Sequence, residues 1–388
     1  MKILGREIKA RKVFEILINN PLSGSAGVFN YFRQKTFLDG ILKGGYSLPP
    51  TTIVIEITYK CNLRCKTCWF YGNSGIIKNK KIEEGLNFKQ LKKLIDEAAW
   101  FRPYIYLTGG EPLINKSSID FISYAKRKGL VVGIVTNGTL LTKENSERLI
   151  NIGLDFITVS IDGPEKIHNK IRGFKCFEKS TEGIKNILEI RRRKNKKFPV
   201  VTLNCTISDY NYENLEEVVN IGENLGVDII ALQHPCFLLK KTIKSHHSVF
   251  KSLFETSENL VDGFENDSAL KIDVQKLYRI IDKIKNKKKD VDLRLFQDFP
   301  LEQMKDYYEK EIATNNRCIN PWYSATIKPN GDVSPCLGYI VGNINDSSFM
   351  KIWNNQKFRN FRKILKQKKY FPGCIRCCAF FLNFKKQN

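Results

Sequence analysis

The stretch TIVIEITYKCNLRCKTC, residues 52–68, decides the reading of this chain. Its first half, TIVIEIT (52–58), is rich in β-branched residues and reads as a buried strand. Cys61, Cys65 and Cys68 follow at once, in a C-x3-C-x2-C spacing. A zinc site or a cubane cluster normally takes four protein ligands. Three thiolates on one loop therefore need a distant fourth ligand or leave one position open. A 4Fe–4S cube held this way keeps one iron free for a chelating small molecule. Zinc is the alternative, and three cysteines without a paired fourth in the loop suit it poorly.

Working outward, strands and helices alternate. YIYLT (104–108), VVGIVT (131–136), FITVSI (156–161), VVTLNCTI (200–207) and DIIALQ (228–233) read as further strands. Helical patterns separate them: FKQLKKLIDEAAW (88–100), SSIDFISYAKRKG (117–129), TKENSERLINIG (142–153), a helix near 180–193, and NYENLEEVVNIGENLG (211–226). Ser117 or Ser118 is a plausible N-cap and Gly129 a stop. The pattern predicts an α/β fold of right-handed parallel βαβ units, six of them forming an open or incomplete barrel. Ligands of such folds gather at the carboxyl ends of the strands. The unusual residues fall there: the cysteine loop, Gly109-Gly110-Glu111-Pro112, Thr136-Asn137-Gly138, and Ser160 to Asp162.

After residue 234 the rhythm is expected to stop. The chain reads as an N-terminal amphipathic helical segment (1–50), a barrel (51–235), a helical connecting region (236–315) and a C-terminal unit (316–388). In the last, RCINPWYSATIKPNGDVSPC predicts a β-hairpin turning at Asn330-Gly331, with a cysteine at each end. A helix follows near 348–366, and PGCIRCC lies close to the end of the chain.

With C-x3-C-x2-C after the first strand and GGEP (109–112) after the second, the sequence resembles the radical S-adenosylmethionine (radical SAM) superfamily. The fuller EITYKCNLRC matches a common lead-in of that family, E-x-T-x-x-C-N-L-x-C. The resemblance implies a partial (βα)6 TIM-like barrel. It also implies that a cluster on Cys61, Cys65 and Cys68 binds SAM and cleaves it to methionine and a 5′-deoxyadenosyl radical, which takes a hydrogen atom from a substrate. Residues implied to contact SAM are Gly109, Gly110, Glu111, Thr136, Asn137, Ser160 and Arg172, the last within HNKIRG. Gly109 and Gly110 would let the backbone approach the methionine amino group. Thr136 and Asn137 lie where relatives often contact the ribose. Ser160 and Arg172 are candidates for the ribose and the methionine carboxylate. Asp162 reads either as part of this set or as a turn residue. One departure is visible: the residue before the third cysteine is often large and packs near adenine, whereas here it is Thr67, and Trp69 follows the cysteine.

Cys318, Gly331, Cys336, Cys374 and Cys377 resemble the SPASM/twitch appendage of the same superfamily. That implies an auxiliary 4Fe–4S cluster on Cys318, Cys336, Cys374 and Cys377 in a hairpin-plus-helix unit of the shorter, one-cluster kind, with Cys378 a spare or substitute ligand. Structural zinc is the alternative there too. Cys176, Cys205 and Cys236 have no spacing partner and read as small buried residues. His246 and His247 read as solvated loop residues.

The resemblance implies an electron donor such as flavodoxin or ferredoxin, and a small-molecule substrate such as a sugar, a lipid or another anionic molecule. The alternatives are a peptide-modifying maturase, an RNA-modifying enzyme and, outside enzymes, a zinc or nucleic-acid-binding protein. Sixty-four Lys and Arg against 40 Asp and Glu give a formal charge of +24. This is either a solvated surface or a field for an anionic partner. The basic runs RRRKNKK (191–197) and KIKNKKK (283–289) lack interleaved aromatics, so nucleic acid is weakly supported. The N-terminus has no apolar core of a signal peptide, and no run approaches a membrane span. A cytoplasmic location is expected, with peripheral membrane contact through the N-terminal segment as a further possibility.

Overall fold

The computed structural model describes residues 41–77, 82, 85–256, 260–266, 270–287, 291–310, 316–336 and 338–379, with 2–3, 6–7, 33 and 384–385. Most of the segment 1–50, expected to be amphipathic helix, lies outside the described residues.

Strand β1 (Thr52–Thr58) has Ile53, Ile55 and Ile57 fully buried on one face, where α1 (Phe88–Ala98) supplies Leu91, Leu94 and Ile95. Period-2 alternation turns Thr52, Val54, Glu56 and Thr58 to the opposite, concave face. Asn87 caps α1 reciprocally: its side chain accepts from Gln90 N, and Gln90 Oε1 accepts from Asn87 N. The pattern repeats through β2 (Tyr104–Gly109), α2 (Ser118–Arg127), β3 (Val131–Thr136), α3 (Lys143–Ile152), β4 (Phe156–Ser160), α4 (Glu165–Arg172), α5 (Phe177–Arg193), β5 (Val200–Thr206), α6 (Leu215–Leu225) and β6 (Ile229–Gln233). Neighbouring strands pair parallel throughout. At α2, Ser117 holds the cap position without a side-chain bond, while Ser118 Oγ donates to Pro112 O.

The βα rhythm does not stop at 234. After α7 (Lys240–Phe254), α8 (Val274–Asn286) leads into β7 (Asp292–Phe296), which pairs parallel with β6. The expected helical connecting region therefore contains a seventh parallel strand. Its sequence, DLRLF, is short and carries two charges, which hid it. α9 (Leu301–Glu309) follows.

At the other edge, the C-terminal hairpin joins the barrel sheet. β8 (Ser324–Ile327) pairs parallel with β1, Ser324 opposite Thr52 and Ile327 opposite Ile55. It also pairs antiparallel with β9 (Asp332–Ser334), which pairs with β10 (Gly342–Asn343). The turn is four residues, Lys328 to Gly331, with Gly331 N donating to Lys328 O. These ten strands form one open sheet, with β10 and β7 as its edges. The architecture is a partial barrel with a hairpin and helix appendage continuous with it.

The expected single helix near 348–366 is two, α10 (Phe349–Trp353) and α11 (Gln356–Lys368), because Asn355 caps the second by accepting from Phe358 N. α11 carries a fully buried arginine. Arg362 donates to Pro321 O, Gly45 O and Asn354 Oδ1, and lies over the rings of Trp353 and Phe358 at 4.2 and 4.0 Å. Replacing it by alanine strands those acceptors and empties a packed site. We expect Arg362→Ala to cost about 3 to 5 kcal/mol. Urea unfolding would read this as a lower midpoint at unchanged slope; a loss under about 1 kcal/mol would refute the account.

Candidate active site at the carboxyl ends of the strands

The loop after β1 carries Cys61, Cys65 and Cys68, all partly buried. It is tied down on several sides. Lys66 N donates to Ile171 O at the end of α4. Arg64 Nη1 donates to Cys61 O and its guanidinium covers the Tyr71 ring at 4.3 Å. Tyr71 OH donates to Tyr59 O. A side chain at Gly173, which follows α4 with φ +79°, would sit 2.7 Å from Arg64 O.

Gly109 and Gly110 lie against this same loop. A Cβ on Gly109 (φ +127°) would meet Thr58 O at 2.4 Å, and one on Gly110 would meet Lys60 O at 2.3 Å. Both positions require glycine because two backbones approach closely there. Beside them Glu111 is fully buried. Its carboxylate accepts from Leu113 N (3.2 Å), Thr136 Oγ1 (2.8 Å) and Asn137 N (2.7 Å). It therefore ties the end of β2 to the end of β3. Burial pushes its pKa up to about 6, against the pull of those three donors. Asn137 Nδ2 in turn donates to Asn62 Oδ1 in the cysteine loop.

Arg172 ends α4. Its Nε lies 2.7 Å from Asp162 Oδ2, and its Nη1 donates to Cys65 Sγ at 3.8 Å. Asp162 is thus an ion-pair partner rather than only a turn residue. Ser160 is the last residue of β4, on the concave face, opposite Asn204 of β5. The structure so gathers the cysteine loop, Glu111, Thr136, Asn137 and Arg172 into one network. Trp69 is stacked on Phe264 at 5.3 Å and lies against Phe70 at 3.8 Å.

Burial raises the thiol pKa of Cys61 to about 11 and of Cys65 to about 12, and raises that of Cys68. At neutral pH these groups hold their protons until a metal displaces them. Among the described residues, no group of three or more His, Cys, Asp or Glu is placed to hold a single metal ion. Zinc would need thiolates at about 2.3 Å from one centre. A cubane brings its own sulfides and can leave one iron to an outside ligand, so three loop thiols suit it, whereas zinc would call for a fourth protein ligand.

In the C-terminal unit, Cys318 is close enough to Cys374 and Cys377 to sense their charge, and Cys374 senses Cys336 and Cys377. Cys378 instead hydrogen-bonds Cys236 and Cys377. Cys236 was expected to be a lone buried residue. It lies on the segment after β6, and the fold brings it to the cysteine turn. Arg376 makes the clamp: it donates to Tyr307 O and Lys310 O and lies 4.1 Å over Phe237, while Tyr307 OH donates to Pro235 O. His246 and His247 are on α7, not in a loop. His246 is buried, and its Nδ1 accepts from Gly373 N next to Cys374. Burial, with a smaller contribution from His247, lowers its pKa to about 4, so it is a neutral acceptor.

The sequence reading used Glu56 only as the first residue of the lead-in E-x-T-x-x-C-N-L-x-C and gave it no role in the site. Glu56 faces the concave side of β1, buried, and accepts from Tyr59 OH at 3.0 Å. Burial raises its pKa to about 7, opposed by Tyr59 and by Lys328 of the hairpin turn. Its signals in the sequence are that lead-in and a charge inside an otherwise buried strand.

Comparison with known proteins gives a matching picture. Residues 55–221 match the family described as the radical SAM superfamily, and residues 318–378 match an iron–sulfur cluster-binding domain, SPASM. Over 348 residues the chain is 26% identical to the tungsten-containing aldehyde ferredoxin oxidoreductase cofactor-modifying protein of Pyrococcus furiosus, covering 84% of this chain and 86% of that one. It is 29% identical over 345 residues to an AdoMet-dependent heme synthase of Methanosarcina barkeri, covering 84% and 91%. Streptococcus suis SuiB, solved with its precursor peptide SuiA, shares the fold with a TM-score of 0.59 at 15% identity, over 86% of this chain and 70% of that one.

Proposed function

This chain belongs to the radical SAM superfamily and carries a SPASM domain, and from that premise we propose which residues hold its cofactors and what class of substrate it takes. Cys61, Cys65 and Cys68 would hold the SAM-binding 4Fe–4S cluster; Cys318, Cys336, Cys374 and Cys377 would hold the auxiliary one. When bound, the first cluster supplies the electron that splits SAM into methionine and a 5′-deoxyadenosyl radical. The chain's own residues position and shield. Glu111 fixes the backbone at Asn137 that would border SAM, and Gly109-Gly110 set the depth of the pocket. Thr136, Asn137 and Ser160 are the remaining candidates for SAM contacts.

The substrate is proposed to be a small, anionic molecule of the cofactor class from which a hydrogen atom is abstracted. The observation that carries this is the excess of cationic side chains, 64 Lys and Arg against 40 Asp and Glu, which favours an anionic partner. Two relatives covered over most of their length are named for cofactor chemistry, which supports the same class. Reconstituted protein with dithionite and SAM is expected to yield 5′-deoxyadenosine, faster with a carboxylated iron tetrapyrrole than with unstructured peptides. Deuterium transferred from a labelled tetrapyrrole into 5′-deoxyadenosine would establish it. Stimulation by peptides alone would replace it with the maturase reading.

A further inference from the structure

Arg172 was expected at the SAM carboxylate, yet its guanidinium is committed elsewhere: Nε to Asp162 Oδ2 at 2.7 Å and Nη1 to Cys65 Sγ at 3.8 Å. It is held among sulfurs. Cys176 and Cys205 are both near enough to feel it and Asp162. Burial raises both of these thiols, so they stay neutral. His168 is also beside it; burial, then Arg172 itself, lowers its pKa to about 3, so it too is neutral. Among the described residues, the anionic groups that face Arg172 are Asp162, the more distant Glu111, and the loop cysteines Cys65 and Cys68 once they are thiolates. The Arg172 side chain is 14% exposed and that of Asp162 3%, so water screens their charges weakly.

We propose that Arg172 is a positioning residue that raises the reduction potential of the cluster held by Cys61, Cys65 and Cys68, through its contact with Cys65, and that Asp162 sets how far by offsetting the Arg172 charge. The inference rests on the cluster assignment above. Its physics is simple. The reduced cluster carries one more negative charge than the oxidised one, supplied by a low-potential one-electron donor. A fixed cation at a ligand sulfur favours that form; a fixed anion disfavours it. Hydrogen bonds to cluster sulfurs act in the same direction.

The sign pattern gives the test. With reconstituted full-length protein and no SAM, the midpoint potential is read from the EPR signal of the reduced cluster during dithionite titration. Variants lacking Cys318, Cys336, Cys374 and Cys377 keep the auxiliary signal out of the measurement. Arg172→Gln is expected to disfavour reduction at least tenfold, which is about 59 mV lower for a one-electron couple. Asp162→Asn should move the potential the other way, and Arg172→Lys should stay nearer wild type than Arg172→Gln. If Arg172→Gln does not fold, the opposite-signed Asp162→Asn shift and the Arg172→Lys value still decide. Unchanged potentials with weakened SAM binding would overturn the inference and return Arg172 to the SAM carboxylate. Shifts of the same sign in Arg172→Gln and Asp162→Asn would also overturn it, as general disturbance of the loop. Wild-type protein that takes up no cluster at all would instead sink the cluster assignment itself.

Discussion

Replacing Cys61, Cys65 and Cys68 together by alanine is expected to halve the iron of the reconstituted protein, from about eight to about four per chain, and to abolish SAM cleavage. The three thiols are only partly buried, so the loss should not come from unfolding. The loop keeps its other ties: Lys66 N to Ile171 O, Arg64 to Cys61 O and Tyr71 OH to Tyr59 O. The complementary variant, with Cys318, Cys336, Cys374 and Cys377 replaced, should also retain about four irons but keep reductive SAM cleavage. Cys318 and Cys374 are buried, so this second set carries a stability cost as well. Iron and acid-labile sulfide, measured with 5′-deoxyadenosine release, separate the two. Eight irons surviving in the first variant would refute the ligand assignment.

Glu111 carries the second large effect. Its carboxylate accepts three hydrogen bonds in a fully buried place. Glu111→Ala leaves two backbone N–H groups and one hydroxyl without a partner, at about 1 kcal/mol or more each, so about 3 to 5 kcal/mol in total. SAM affinity should fall with it, since the ends of β2 and β3 lose their tie. A pH test isolates the charge. The folded-state pKa, about 6, lies above the ordinary 4.5. The folded protein thus binds this proton more tightly than the unfolded chain. Its contribution is fully present below pH 4.5 and is lost as pH rises through about 6. The shift of 6 − 4.5 corresponds to about 2 kcal/mol. The stability gap between wild type and Glu111→Gln should therefore be wider at pH 4.5 than at pH 7 by that order. A gap independent of pH would show that Glu111 does not titrate in this window.

The contrast between Cys61 and Cys236 shows how far a linear reading reaches. The spacing of Cys61, Cys65 and Cys68 is local, since a short loop after a strand must bring its thiols together whatever the rest of the chain does. The same holds for Gly109-Gly110-Glu111-Pro112, and for six parallel strands written as apolar runs between helical patterns. Local pattern was thus enough for the fold class, and for placing the cysteine loop, Gly109-Gly110-Glu111 and Thr136-Asn137 at the same end of the sheet. Pairing across long separations left no such trace. β8 joins β1 across some 270 residues, Cys236 meets Cys378, and Arg172 meets Cys65 and Asp162, only because packing the sheet and α4 closes those distances. β7 was invisible for a related reason: as an edge strand with Asp292 and Arg294 it needs little apolar sequence. Residue types and local spacing name the chemistry that a segment can perform. Which buried charge faces which sulfur follows from tertiary contact, because electrostatic and hydrogen-bond energies depend on ångström distances that sequence separation does not encode.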